Sequence, residues 1–200
     1  MTEYWDRQAR RYDRVTLLLN ARMVEMARVA ADTVKGKQDV LEVAAGTGLM
    51  TQEIVKAAGH LVATDQSSAM LSVLRHHGEA NSNLTIQEAD ATALPFQDRS
   101  FDAVVIGNLL HLLPEPRIAL REAQRVLRPG GLLIAPTFCH GQGARAAVVS
   151  RLMGLAGFPI STRFNGPDLD ALVESVGFTV QDARWFPGLL PLRFVVARTD

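Results

Sequence analysis

The sequence of 200 residues is poor in three things: cysteine, long apolar runs and net charge. Cys139 is the only cysteine, so no internal disulfide can form, which fits a reducing compartment. The apolar stretches, such as 103–106, 132–138 and 152–160, are far shorter than the roughly 20 residues that a membrane-spanning helix needs. The first residues are too highly charged for a signal peptide. These absences predict a soluble cytoplasmic protein without a membrane span.

The formal net charge is zero, because 21 basic side chains are matched by 21 acidic ones. Proteins that bind nucleic acids usually carry a basic excess, so no nucleic-acid partner is expected. The charges are nevertheless distributed unevenly along the chain. Residues 1–35 carry a net charge of +2, residues 36–120 of −5 and residues 121–200 of +3. The acidic middle and the basic flanks are therefore expected to contact different ligands.

The composition, 48% hydrophobic and 21% charged, is typical of one globular domain, and no internal repeat is present. Apolar periodicity and breaker residues predict strands alternating with helices over the first two thirds of the chain. The predicted strands are 39–43, 60–65, 84–88, 101–107 and 132–138. The predicted helices are 15–35, one ending near residue 58, 67–77 and 117–127. Strands joined through helices pair in parallel, which predicts a doubly wound α/β sheet.

A different pattern follows the fifth strand. Residues 144–153 are predicted to be helical, residues 154–166 to form a loop, and Pro167 to open a helix over 168–175. The segments 178–186 and 192–198 then indicate two strands that can pair as an antiparallel hairpin at the sheet edge. The whole predicts a single domain, 1–200, with a mostly parallel seven-stranded sheet and an antiparallel C-terminal hairpin.

A glycine-containing loop directly follows the first predicted strand. Residues 44–48, Ala-Ala-Gly-Thr-Gly, let a ligand approach the backbone closely, and exposed amides at the following helix start can hold polar groups. Asp65 lies 19 residues beyond Gly46 at the end of the next strand, where a carboxylate can accept hydrogen bonds from ribose hydroxyls. This pairing indicates a nucleoside-containing ligand, and the alternative is a structural turn with an exposed aspartate.

Two residues depart from the dinucleotide-binding fingerprint. Thr51 stands where the third small residue would be, and Glu42 lies inside the end of the first strand. A carboxylate near a pyrophosphate is unfavourable, whereas a carboxylate near a cationic ligand is favourable. A nicotinamide-dependent oxidoreductase is therefore the second choice, and a non-catalytic cofactor-binding regulatory protein is a third.

Five motifs in order resemble those of the class I S-adenosylmethionine-dependent methyltransferases, over about residues 1–198. They are the segments 42–48, 64–70, 88–96, 101–111 and 125–131. The resemblance implies a Rossmann-like methyltransferase fold and methyl transfer from S-adenosyl-L-methionine, with S-adenosyl-L-homocysteine as product. It also implies cofactor contacts from Tyr12, Glu42, Ala44, Ala45, Gly46, Thr47, Gly48, Asp65, Gln66, Met70, Asp90, Ala91, Asn108 and Leu109.

By this resemblance the loop 44–48 passes under the methionine part of the cofactor, and Glu42 orders the loop near the ammonium. Asp65 takes the ribose hydroxyls, Asp90 and the Ala91 amide bind adenine, and Asn108 and Leu109 close the site near the sulfonium. Ala44 replaces a residue that is often glycine in the family. The replacement is expected to cost little unless the loop needs a positive φ there.

The resemblance also divides the domain. Residues 1–35 form an N-terminal helical lid, with Tyr12 as the residue expected to cover the cofactor, or alternatively a plain amphipathic surface helix. Residues 36–138 form the cofactor-binding core, 139–166 cover the acceptor, and 167–200 supply the final helix and hairpin. The three carboxylates assigned to the cofactor lie in the acidic segment 36–120, so the basic flanks are expected to cover a neutral or anionic acceptor.

Methyl transfer is an in-line displacement, in which the protein aligns the reacting groups in a dry pocket. His111 and His140 follow the fourth and fifth strands and are the candidate catalytic bases, although a histidine bonded to backbone is the alternative. The expected substrate contacts are Phe138, Arg163 and Phe164, with Phe158 and Ile160 adding an apolar wall. The expected acceptor is a small or lipid-like molecule. The histidine spacing supports no metal site.

Overall fold

The computed structural model describes residues 2–9, 12–78 and 81–199. Its helices are α1 (Thr2–Gln8), α2 (Tyr12–Leu19), α3 (Met23–Val34), α4 (Thr51–Ile54), α5 (Ser68–Gly78), α6 (Pro116–Val126), α7 (Gly143–Leu155) and α8 (Gly166–Glu174), with a 3-10 turn at Leu110–Leu112. Its strands are β1 (Asp39–Val43), β2 (His60–Asp65), β3 (Leu84–Glu88), β4 (Phe101–Ile106), β5 (Leu127–Phe138), β6 (Phe178–Phe186) and β7 (Leu192–Thr199).

The seven strands form one sheet in the order β3-β2-β1-β4-β5-β7-β6. The strands from β3 to β5 pair in parallel, and β7 pairs antiparallel with both β5 and β6. The predicted sheet with its antiparallel C-terminal hairpin is therefore confirmed. The strand order reverses at β1 and β4, and ligands of doubly wound sheets bind in the crevice at such a switch point.

Successive residues of the central strands face opposite helical layers, because strand side chains alternate with a period of two. In β4, Val105 packs in the cluster that contains α3 and α4, whereas Val104 packs in the cluster that contains α6 and α8. Both side chains are fully buried. This burial on both faces explains why the parallel strands appear in the sequence as continuous apolar runs. The result is a rigid platform whose carboxyl edge carries the loops.

The predicted helix 15–35 is wrong, because the structure divides it into α2 and α3 at Asn20. The buried Asn20 side chain donates from Nδ2 to the Phe186 carbonyl at 3.0 Å and accepts from the Arg22 amide at 2.9 Å. An asparagine side chain that bonds backbone in this way competes with helix continuation. The break lets α2 turn away from α3 across the carboxyl edge of the sheet.

Two further boundaries differ from the prediction. The helix after the glycine loop is short, Thr51–Ile54, and continues as turns to Ala57 rather than as a regular helix to residue 58. Strand β5 begins at Leu127 rather than at residue 132, with a register shift against β4. Gly130 has a φ of +72°, which a glycine tolerates, so the chain passes from α6 into the strand through an irregular segment.

Among the described residues, no helix is both long enough and apolar enough to cross a membrane.

Candidate functional site

An open cleft of about 680 Å³ lies at the carboxyl edge of β1, β2, β3 and β4. Nine of the residues expected to contact a nucleoside ligand line it: Ala44, Gly46, Asp65, Gln66, Met70, Asp90, Ala91, Asn108 and Leu109. The cleft is also lined by Ala89 and Gly107, which lie in two of the five motifs, and by Trp5, Leu112 and Leu113, which the motifs do not include. The motifs that are separated along the chain thus meet at one place.

The loop after β1 is held in a strained, close-packed conformation. Ala44 has a φ of +58°, and Gly46 and Gly48 also have positive φ values. Since the loop does need a positive φ at position 44, alanine there costs conformational energy that glycine would not. A Cβ on Gly48 would collide with Leu74, so no larger residue fits there without movement. Ala45, Thr47 and Gly48 do not line the cleft, and they shape the loop from beneath.

Glu42 lies below this loop and is buried, with 2% of its surface exposed. The Thr51 hydroxyl donates to its Oε2 atom at 2.7 Å. Burial raises the pKa of Glu42 from 4.5 to about 8, and the nearby Asp65 carboxylate adds to the rise, while the Thr51 hydrogen bond opposes it. Glu42 does not line the cleft, so in the absence of a cation it is largely protonated at neutral pH. Thr51, which broke the dinucleotide pattern, has a defined partner here.

Asp65 ties the loop to the start of α5. Its Oδ2 accepts from the Gly46 amide at 2.9 Å and its Oδ1 from the Ser67 amide at 2.8 Å. Burial raises the pKa of Asp65 above 3.8, and these backbone hydrogen bonds oppose the rise. The Ser67 hydroxyl accepts from the Met70 amide and donates to Asp6 of α1. The same turn therefore presents a carboxylate to the cleft and holds α1 over it.

The far wall of the cleft comes from the ends of β3 and β4. Asp90 accepts from the backbone and hydroxyl of Thr92 through Oδ1, and from the Gln66 side chain through Oδ2 at 3.4 Å. Asn108 has a φ of +52°, and its amide donates to the Pro136 carbonyl at 2.8 Å. Its buried Oδ1 atom has no hydrogen-bond partner among the described residues. An orphaned buried oxygen is costly unless a ligand satisfies it.

The roof of the cleft is α1, which contributes Trp5 to the lining. The Trp5 ring packs edge to face against Tyr4, with centroids 5.0 Å apart, and against Phe158, with centroids 5.8 Å apart. The Tyr12 side chain lies outside the described residues. The aromatic pair at positions 4 and 5 was the available signal, but it could not show which ring faces inward.

A second cavity of about 320 Å³ adjoins the first and shares Trp5, Asn108 and Leu112 with it. Its other lining residues come from α2, the 3-10 turn, the end of β5 and the segment after α7: Val15, Thr16, Leu19, His111, Phe138 and Phe158. The lining is mostly apolar, and among these described residues none is acidic or basic apart from histidine. Phe138 therefore lies where a substrate contact was expected.

His111 and His140 are buried side by side, with ring centroids 4.9 Å apart. His111 Nδ1 and both ring nitrogens of His140 lack hydrogen-bond partners among the described residues. Burial lowers the pKa of His111 well below 6.5, and the neighbouring His140 lowers it further. Burial and then the charge of Arg163 lower the pKa of His140 to about 4. Both imidazoles are therefore neutral at pH 7, and only His111 lines the cavity.

Three other residues expected at the substrate, Ile160, Arg163 and Phe164, do not line either cavity. Phe164 is buried in the cluster that contains α6 and α8, and Ile160 is likewise not a lining residue. Arg163 donates from Nε to the Ser150 hydroxyl at 3.0 Å, which holds it against α7. The segment 139–166 thus reaches the second cavity through Phe158. No group of metal-ligating side chains occurs in the part of the chain that the structure describes.

A family model described as a methyltransferase domain matches residues 41–135. Demethylmenaquinone methyltransferase of Clavibacter sepedonicus is 35% identical over 175 residues, or 86% of this chain and 68% of that protein. Ubiquinone/menaquinone biosynthesis C-methyltransferase of Hahella chejuensis is 35% identical over 148 residues, or 69% and 59%. The match spans about half of two further demethylmenaquinone methyltransferases, 42% and 54% of their lengths.

Solved structures show the same fold at low identity. A chain from the complex between the Haloferax volcanii Trm112 methyltransferase activator and a methyltransferase has a TM-score of 0.81 at 17% identity, covering 98% of this chain and 97% of that one.

Proposed function

Because the chain belongs to the class I S-adenosylmethionine-dependent methyltransferases, we propose that it methylates a ring carbon of a quinol-type small molecule. Membership in this family makes S-adenosyl-L-methionine the cofactor and makes the oxidoreductase alternative wrong. The acceptor class is supported by two features. Similar proteins carry the names demethylmenaquinone methyltransferase and quinone-biosynthesis C-methyltransferase, and the second cavity is aromatic and contains one polar base.

The side chains in and beneath the cleft suit the chemical groups of the cofactor. Asp65 presents a carboxylate to it for hydroxyl groups, and Asp90 presents another toward the adenine end. The unsatisfied Oδ1 of Asn108 is an acceptor near the junction of the two cavities. Glu42 lies beneath the loop, where it accepts a hydrogen bond from Thr51, and a cation in the cleft would favour its ionised form. When bound, S-adenosyl-L-methionine supplies a methyl group on a cationic sulfur, which leaves as a neutral thioether.

The residues of the second cavity would hold the acceptor in line with that methyl group. Phe138 and Phe158 offer apolar faces for an aromatic ring, and Trp5 covers both cavities at once. Exclusion of water by this lining strengthens electrostatic effects inside and prevents side reactions. Since Trp5, Asn108 and Leu112 line both cavities, a ring in the second cavity lies next to a ligand in the first. This shared boundary is the observation that carries the proposal.

The neutral His111 would accept a hydrogen bond from a ring hydroxyl of the acceptor. A neutral imidazole has one accepting and one donating nitrogen, and the lowered pKa keeps it in that form. His111 would take the hydroxyl proton while the ring carbon forms its bond to the methyl group and the bond between that methyl group and sulfur breaks. The carbon-bound proton would then leave to solvent and the proton on His111 would return to the ring oxygen, which restores the aromatic ring with the release of one proton overall. His140, packed against His111, would position the His111 imidazole. Only the reduced, hydroxyl-bearing form of a quinone offers this nucleophile.

The test uses the purified protein, S-adenosyl-L-methionine and a 1,4-naphthoquinol without a long tail, kept reduced. Mass spectrometry should detect one added methyl group on carbon together with S-adenosyl-L-homocysteine, and the oxidised quinone should give no product. The variant His111→Phe should lose about 100-fold or more in kcat, within the range that a general base contributes. Its affinity for S-adenosyl-L-homocysteine should stay the same.

The matched control is His76→Phe, which alters an exposed histidine on α5. It should retain wild-type kcat. The proposal fails if the protein binds the cofactor but methylates no quinol, or if His111→Phe is as active as His76→Phe. Product methylated on oxygen would retain the acceptor class and overturn the assignment to carbon.

A further inference from the structure

Two helices beside the second cavity, α2 and α7, expose leucine and valine side chains to solvent. On α7, Val148, Leu152 and Leu155 are 60%, 61% and 80% exposed, and their spacing places them on one face. On α2, Leu18 is 76% exposed and Val15 is 45% exposed. Single exposed apolar residues are ordinary, whereas several on neighbouring helices mark an interaction surface. We call these five residues the apolar rim.

The two helices that carry the apolar rim lie beside the second cavity. Val15 lines that cavity itself, and Phe158, three residues after α7 ends, lines it from the other side. Leu19 of α2 and Ala146 of α7 also pack in the same core cluster. Both helices therefore cover the same face of the sheet, next to the cavity that would hold the acceptor.

The charged side chains of α7 and of the loop that follows it have one sign. Residues 142–167 contain three arginines and no acidic residue. Arg145 and Arg151, both exposed on α7, form no ion pair with any residue that the structure describes. On α2, Arg14 is exposed beside Val15. A helix with leucines on its outer face and arginines beside them is typical of helices that lie on an anionic lipid surface.

We propose that α2 and α7 dock the protein on an anionic lipid bilayer, with the apolar rim in the headgroup boundary and the mouth of the acceptor cavity facing the lipid. This inference rests on the proposed function, because a quinol with a long apolar tail resides in a bilayer. Across the apolar rim, the ring of such a quinol could enter the second cavity while its tail stays in the lipid, out of contact with water. The arginines of α7 provide the attraction to the headgroups.

Vesicle flotation tests the docking directly. The full chain is mixed with phosphatidylcholine vesicles, with or without roughly one third phosphatidylglycerol, at low and high salt. Binding is expected to the anionic vesicles and to weaken as salt rises. The double variant Leu152→Ser with Leu155→Ser should bind about tenfold more weakly, and so should Arg145→Glu with Arg151→Glu. The matched controls are Ile118→Ser and Arg121→Glu on α6, which packs on the opposite face of the sheet.

The tail-free naphthoquinol separates this inference from the proposed function. The rim variants should methylate that soluble acceptor at the wild-type rate, because neither leucine lines a cavity. If the wild-type protein does not methylate this acceptor, the proposed function is refuted and the flotation result still stands. The docking inference is overturned if the wild-type protein does not float with anionic vesicles, or if the α6 controls lose binding as much as the α7 variants. It is also overturned if light scattering shows a dimer that Leu152→Ser with Leu155→Ser dissociates.

Discussion

Replacement of the buried glutamate beneath the glycine loop, Glu42→Gln, should change how the stability of the cofactor-free protein depends on pH. Burial raises the pKa of Glu42 from 4.5 to about 8 in the folded state. The folded protein therefore binds more protons than the unfolded chain between these two values. The stability associated with this proton is fully present below pH 4.5 and is lost as pH rises through 8. Glutamine has the same shape and cannot ionise, so it lacks this dependence.

The size of the effect follows from the two pKa values. Each pH unit between them changes the free energy of unfolding by about 1.36 kcal/mol, with less change near either end. From pH 5.5 to 7.5, the wild-type protein should lose about 2–3 kcal/mol relative to Glu42→Gln. This is a large share of the total stability of an ordinary domain. Saturation with S-adenosyl-L-methionine should reduce the loss, because its ammonium favours the ionised carboxylate.

Urea unfolding at a series of pH values, without cofactor, measures the difference between the two proteins. Glu174→Gln serves as a control, because it removes one exposed carboxylate from the end of α8. Its stability should run parallel to that of the wild type across the series. Parallel curves for wild type and Glu42→Gln would refute the reasoning, since they would mean that Glu42 ionises in the folded state as it does in the unfolded chain.

Two further substitutions test the loop and the segment beside the cleft. Ala44→Gly should stabilise the protein by about 1 kcal/mol in urea unfolding, because glycine removes the cost of the positive φ. Ala45→Gly is the control and should destabilise the protein, because the φ of Ala45 is not positive. Equal effects of the two substitutions would show that the backbone at Ala44 is not strained. Arg125→Lys should destabilise by about 1–2 kcal/mol, because Arg125 bridges Asp98 and Glu122 and also donates to two backbone carbonyls. Arg121→Lys on the exposed side of α6 should change stability by less than about 0.5 kcal/mol, and a similar loss there would show that the bridging geometry is not the cause.

The sheet and the cofactor cleft were predictable because their signals are local. Buried parallel strands give apolar runs, and each run ends where a small residue or a carboxylate must face a ligand. Gly46 and Asp65 therefore indicate the same edge of the sheet from two separate segments. Even Thr51, which appeared only as a departure from another fingerprint, has a local reason, since its hydroxyl reaches Glu42 nine residues back in the chain.

The parts that the sequence did not reveal depend on contacts between distant residues. Asn20 ends α2 because it bonds the carbonyl of Phe186, which is 166 positions away. No helix propensity contains that information. Trp5 lines the cleft because α1 lies against α5, which is a contact between segments distant in sequence. Phe164 was expected at the acceptor, but its side chain packs instead in the core cluster that contains α6 and α8.

The charges of the two cavities argue for the kind of acceptor. Asp65 and Asp90 of the acidic middle segment line the first cleft and Glu42 lies beneath its loop, whereas no acidic residue is among the residues that line the second cavity. An ammonium group there would find no counterion and would lie near a sulfonium of the same sign, which is costly in a low dielectric. A phenolic hydroxyl would instead find the unprotonated ring of His111. The arrangement therefore favours a neutral aromatic acceptor over an amine. The basic flanks contribute no arginine or lysine to the described lining of that cavity, so no positive charge there calls for an anionic acceptor.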